Sequence, residues 1–428
     1  MKVSFKIFAI MSMLLFVTVL TGCSEKPGNY TIVRFEDEKV TYESFGKGTD
    51  ENTVYELGSN GKTVAAYTAL AMAEEGVLDL DEKIAPYLDP ELITKDERMS
   101  DITLRELLSH TAGFSPSYEL GVDKKIYSDP GTEFRYSGVG YIYLQNVIEN
   151  ASNMTMDQAA AKYVFEPLGM KNSTFESTKT VTPYMNLSNA VLYALLVFTA
   201  TFIFLSVLTL IIGLISKFKL YKYNIAFPVC FGLAGIINTL VLFLVLPNLS
   251  KVYYLFLICF AVMGVILFVT RKTPALFYSL APAFLLVVLV LGFTINITVP
   301  VTNDLVRDKA NVAYSFKSTG EDMSLFCNAL MDKANAESGL FAEMFDPNVS
   351  IDDRNAWGLG IAIEYTSEKE PMYWHSGINP GFHSLYVLYP EEDKYIVVLT
   401  NSDRGLDFAK ETAREYLGVN GVWDIKRS

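Results

Sequence analysis

Alternation of apolar and polar residues marks "YTIVRF", "KVTYESF", "WGLGIAIEY", "SLYVLY" and "YIVVLTN" as strands. Segments around 62–75, 103–109, 138–150, 154–164 and 405–417 carry apolar residues at helical spacing and predict helices. The strands fall near both ends of the chain, with helices between them. This order predicts an α+β fold in which an antiparallel sheet, built from both termini, carries a helical lobe. From about 187 to 300 the pattern changes. Four apolar runs, roughly 189–215, 225–246, 253–270 and 276–299, are each close to the ~20 residues that a bilayer-crossing helix needs.

The predicted architecture is therefore one domain split by four transmembrane helices. Its parts are a signal segment 1–22, a first half 23–186, a membrane block 187–300 and a second half 301–428. Lys217, Lys219 and Lys222 follow the first run, and Arg271 and Lys272 follow the third, which places those connections in the cytoplasm. An even number of spans returns the chain to its starting side, so both halves are expected to meet outside the cytoplasm. No Asp, Glu, Lys, Arg or His lies within the runs, so the block is expected to anchor the protein, with transport or signalling as the alternative.

At the N-terminus, Lys2 and Lys6 precede an apolar stretch from Ile7 to Leu20 that is too short to span and suits a secretory signal. Leu20-Thr21-Gly22-Cys23 then looks like a bacterial lipobox, with Cys23 the lipidated residue; an uncleaved anchor with an incidental cysteine is the other reading. Either sends the following segment outward. The expected setting is a bacterial cell membrane, with the bilayer itself as a partner.

Half of the 428 residues are apolar, more than an ordinary soluble enzyme carries, and the formal charge is −13. Basic residues form no stripe, so nucleic acid is not an expected partner. With Cys23 lipidated and Cys230 and Cys259 in apolar runs, the exported part keeps Cys327 alone. Three histidines and no zinc-ligand spacing argue against a metal, and no cofactor is expected.

Chemistry enters with Ser-x-x-Lys, which occurs at Ser44/Lys47, Ser59/Lys62 and Ser216/Lys219. Only Ser59 is followed by small and apolar residues at helical spacing, which would bury the helix and its lysine. Residues three apart share a helix face. A serine hydroxyl needs a base, and lysine serves only if burial or nearby charge brings its pKa from about 10.4 toward 7, a shift worth about 4 kcal/mol. Placement near a helix N-terminus supplies both the desolvation and an unfavourable dipole for a cation.

"LGSNGK", "ITLRELLSHTAGF", "DPGTEFRYSGVGYIYLQNVIE", "FEPLGMKNSTF", "YSFKSTGEDMSLF" and "WHSGINPGFHSLYVLYP" follow one another in an order that resembles β-lactamase-related serine hydrolases, similar to class C β-lactamases and low-molecular-mass penicillin-binding proteins. The resemblance covers nearly all of both exported halves and none of the membrane block. It implies a β-lactamase/transpeptidase-like fold and an acyl-serine intermediate at Ser59, with Lys62 as proton acceptor. Tyr136 matches the tyrosine of Tyr-x-Asn, although Gly138 stands where the family has asparagine. Tyr184-Met185-Asn186 repeats the pattern but lacks its setting. His375-Ser376-Gly377 takes the place of Lys-Thr-Gly. There His375 is expected to bind a substrate carboxylate or polarise the tyrosine, Gly377 to let substrate approach the strand, and the Ile378 amide to be an oxyanion donor. His110 and His383 are expected to be structural, and Asp129 and Glu133 solvated or capping. The implied substrates are peptides, esters or β-lactams, with a binding or sensing module as the rival function.

Overall fold

The computed structural model describes residues 28–116, 124–181, 184–186, 298–300, 310–402 and 404–425. Among them the strands are β1 (Tyr30–Glu36), β2 (Lys39–Phe45), β3 (Tyr55–Gly58), β4 (Tyr184–Asn186), β5 (Thr298–Pro300), β6 (Phe316–Ser318), β7 (Val349–Ser350), β8 (Asn355–Trp357), β9 (Ala362–Tyr365), β10 (Pro371–Asn379), β11 (Phe382–Tyr389) and β12 (Lys394–Thr400). The main helices are α1 (Gly61–Glu74), α2 (Leu104–Leu108), α3 (Gly138–Ser152), α4 (Met156–Ala160), α5 (Gly320–Ala334) and α6 (Gly405–Leu417). Contacts divide the chain into two compact units.

The larger unit, Lys26–Val181 with Asn303–Ser428, holds an eight-stranded antiparallel sheet in the order β2-β1-β12-β11-β10-β9-β8-β7. Tyr30 pairs with Thr400, so strands from the first half extend a sheet made by the second, as the end-clustered strand pattern predicts. Alternate residues of β12 face opposite layers. Ile396 and Val398 pack with Ala409, Ala413 and Leu417 of α6, whereas Val397 and Leu399 join the cluster that includes α1 and α5. With both faces covered, β11 and β12 need a nearly continuous apolar run rather than strict alternation. The outermost strand, β2, is exposed along most of its length and carries the charges that discourage edge pairing.

Two predicted elements differ, and one observed helix was not among those predicted. "WGLGIAIEY" is not one strand: Gly358 to Ile361 close a turn between β8 and β9, with the Gly358 N–H bonded to the Ile361 carbonyl at 2.9 Å. The helix expected over 154–164 is α4 continued by a π-type turn, Ala161–Phe165, and the turn Glu166–Leu168, ending at Gly169. Helix α5 was absent from the predicted set.

In the smaller unit the described residues are β4 and β5, which pair antiparallel with Asn186 opposite Thr298. No described helix is long and apolar enough to cross a membrane. The four expected spans lie outside the described residues, apart from Thr298 and Val299 at the end of the fourth, which belong to β5; the signal segment and Cys23 also lie outside.

Candidate active site

Strand β3 pairs with β6 through an irregularity between Glu56 and Gly58, and the chain then turns sharply into α1. Gly58 has φ of +52°, and a Cβ there would stand 3.1 Å from the Ile378 amide nitrogen. A glycine therefore lets the turn carrying Ser59 press against β10. Ser59 sits just outside the helix, whose N-cap is Asn60. The Lys62 N–H bonds back to the Ser59 carbonyl at 3.0 Å, which brings serine and lysine onto one side of the first turn.

Lys62 is 1% exposed, because nearly all of α1 is buried. Its Nζ donates to Ser59 Oγ at 3.0 Å and to the Ala313 carbonyl at 2.9 Å, while Ser59 Oγ donates to the same carbonyl at 3.3 Å. Residues 310–315 come from the second half of the chain. Gln145 of α3 holds that loop, donating to the Ala310 carbonyl and accepting from the Val312 N–H, each at 3.1 Å. Ser59 and Lys62 thus share a backbone oxygen some 250 residues away in sequence.

Tyr136 precedes α3, which Ser137 caps by accepting the Gly140 N–H at 2.8 Å. Its ring centre lies 5.2 Å from Lys62 Nζ and 6.2 Å from the His375 ring. His375 is buried on the half of β10 beyond the β9 pairing, with Nδ1 and the Ser376 carbonyl 2.9 Å apart. Gly138 begins α3 and supplies no side chain to the site. The fold thus gathers Ser59, Lys62, Tyr136, His375, Gly377 and Ile378, drawn from both halves.

The Beta-lactamase family model matches residues 18–184 and 295–420. The chain belongs to the Beta-lactamase family. Among curated relatives, Protein flp of Staphylococcus aureus strain MW2 is 27% identical over 143 residues, 29% of each chain. A Salmonella agona protein with a provisional D-alanyl-D-alanine carboxypeptidase name is 30% identical over 148 residues, 29% of this chain and 34% of the relative. The chain therefore spans about a third of the length of the curated relatives it matches. Among solved structures, the penicillin-binding protein homologue from Pyrococcus abyssi superposes with a TM-score of 0.57 at 15% identity, covering 96% of this chain and 77% of that one. A D-stereospecific amidohydrolase from Streptomyces gives 0.57 at 16% identity, covering 96% and 98%, and a class C beta-lactamase gives 0.57 at 15%, covering 92% of each. These likenesses show the β-lactamase fold. The expected class, a serine hydrolase, is that of this family.

Within the Beta-lactamase frame, Gly377 packs closely on β3. A Cβ there would fall 1.7 Å from the Leu57 carbonyl, so the missing side chain admits β3. The Ile378 side chain is 45% exposed, and its amide lies beside the Ser59 turn. His383 is buried on β11 with Nδ1 2.6 Å from the Ser402 carbonyl. Asp129 and Glu133 are exposed partners of Arg98 and Arg135. Tyr184 and Asn186 belong to β4, in the smaller unit.

A cavity of about 450 Å³ lies against Tyr136, His375 and Ile378, walled by Trp357 and Trp374 and by Asp424 and Ile425 of the C-terminal segment. Ser59 stands outside its lining. Sequence reasoning missed this wall and the Ala313 carbonyl. Among the described residues, no cluster of three or more His, Cys, Asp or Glu side chains could hold a metal ion.

Proposed function

We propose that the protein is a membrane-anchored, extracytoplasmic serine hydrolase that forms an acyl-enzyme at Ser59 and acts on peptide, ester or β-lactam-type amide bonds. The contact that carries this reading is the 3.0 Å approach of the buried Lys62 amine to Ser59 Oγ. A neutral Lys62 takes the Ser59 proton as Oγ attacks the substrate carbonyl. The Ser59 and Ile378 N–H groups receive the oxyanion, and Tyr136 passes the proton from Lys62 to the leaving group as the acyl bond breaks. Water, deprotonated along the same route, then releases the acyl group and restores the serine.

The anchor is the block 187–300 with lipid on Cys23, which puts both halves outside a bacterial membrane. Antiparallel pairing of β4 with β5 supports an insertion that leaves and re-enters at one place. Gly138 favours a second reading, a sensor that acylates without efficient turnover. The asparagine missing there would add a hydrogen bond worth about 1–3 kcal/mol.

Full-length protein and Ser59→Ala are to be incubated with a fluorophosphonate probe, a fluorescent penicillin and a chromogenic ester. Serine-dependent labelling with turnover is expected. Persistent labelling without turnover favours the sensor, and no serine-dependent labelling refutes both. A tag at 220 should be shielded from outside reagents and one at 428 reachable; the reverse pattern removes the topology.

A further inference from the structure

His110 follows α2 in a left-handed conformation, φ +58°, where glycine or asparagine is the usual residue and a histidine costs about 1 kcal/mol. What the histidine gains there is contact with both neighbours of Tyr136. The Arg135 N–H donates to the His110 carbonyl at 2.8 Å, and the Ser137 N–H donates to His110 Nδ1 at 3.1 Å. The imidazole lies 4.5 Å from the Tyr136 ring and 4.8 Å from those of Tyr141 and Trp357.

We propose that His110 is a positioning residue for Tyr136, clamping the backbone on each side of the tyrosine and backing its ring so that it stays over Lys62; this rests on the acyl-serine reading above. Because Nδ1 accepts, a neutral ring carries its proton on Nε2, which is buried without a hydrogen-bond partner among the described residues. A second proton on Nδ1 would face the Ser137 N–H and break half of the clamp. The titratable groups facing the ring are Lys62, His375, Tyr136 and Tyr141, and Phe134 and Trp357 complete the enclosure. Burial first, then the neighbouring Lys62 and His375, hold its pKa well below the usual histidine value.

The test uses full-length protein in detergent with a chromogenic ester. His110→Ala removes the acceptor and the ring, and should lower kcat about 10–100-fold with KM changed less than about twofold. His110→Asn tolerates the same backbone and returns an oxygen near Nδ1, so it should recover kcat to within about fivefold of wild type. Wild-type kcat in His110→Ala, or no rescue by a folded His110→Asn, overturns the proposal. In nitrogen-labelled wild type, only three histidines contribute. The signal missing from His110→Asn should remain a neutral Nε2–H ring through the pH range in which an ordinary histidine takes its proton. Titration near 6.5, or a proton on Nδ1, overturns the clamp. Absence of Ser59-dependent turnover in wild type would sink the acyl-serine reading, and the spectrum would then decide the clamp alone.

Discussion

Lys62→Met keeps a long apolar stem in the buried slot and removes the amine that touches Ser59 Oγ. Ester turnover should fall about 10²–10⁴-fold, the worth of a positioned general base, with the circular-dichroism spectrum unchanged; turnover within tenfold of wild type would exclude Lys62 as the base. Gly138→Asn should act in the opposite direction. An added amide worth about 1–3 kcal/mol predicts about 5- to 150-fold higher kcat/KM on a chromogenic cephalosporin, and an unchanged value would show that Gly138 does not limit the reaction. His110 gives a pH dependence. Its pKa is lowered in the folded chain, so below about 6.5 the unfolded chain takes a proton that the folded one refuses, and stability falls with pH. About 1 kcal/mol is lost over the first pH unit below the unfolded value, and His110→Asn should remove that loss from the unfolding free energy between pH 6.5 and 5.5. Ser59 and Lys62 were readable because side chains at helical spacing leave a pattern. The Ala313 carbonyl was not, since a backbone oxygen has no residue-type signature and its loop is placed only by the tertiary contacts of Gln145.

Elements show the same division between periodic and positional information. Strands β1, β11 and β12 were legible from their apolar runs and β2 from its alternation, each over seven or eight residues. "WGLGIAIEY" misled because the small residues that continue an alternating run also make a tight turn, and only the close approach of Gly358 to the Met344 carbonyl decides between them. Helix α5 was within reach: Met323, Phe326, Cys327, Leu330 and Met331 are buried at helical spacing, and Thr319 caps the helix by accepting the Asp322 N–H. The segment after α6 had no periodicity to read, because one buried carboxylate holds it. Glu364 accepts the Val422 N–H at 2.9 Å and the Trp423 N–H at 2.7 Å, and takes Arg354 at 2.9 Å. Glu364→Ala should cost about 1.5–3 kcal/mol in urea unfolding and shift tryptophan emission to the red as Trp423, fully buried in the wild type, meets water. It should also change KM, because Asp424 and Ile425 wall the cavity beside Tyr136. Unmoved emission would mean that this carboxylate does not hold the segment.

For the whole molecule, every candidate catalytic or substrate-contacting side chain lies in one compact unit assembled from two stretches of chain. Ser59, Lys62 and Tyr136 come from the first stretch, and the Ala313 carbonyl, His375 and Ile378 from the second. Neither stretch alone holds a complete site. The sheet makes the same demand, since β1 borders β12 along its length and Val33 and Val397 share a core. A short linker can close the gap between β4 and β5, because Asn186 lies directly opposite Thr298, a separation of about 5 Å between paired strands. Replacing residues 187–297 by a short Gly-Ser linker, in a chain that starts at Ser24, should therefore leave a water-soluble protein. Its Ser59-dependent fluorophosphonate labelling rate should stay within about threefold of the full chain, because the geometry around Ser59, on which such a rate depends steeply, is set inside the larger unit. An unfolded product would show that the insertion is needed to bring the halves together, and a folded product that no longer labels would show that it shapes the site.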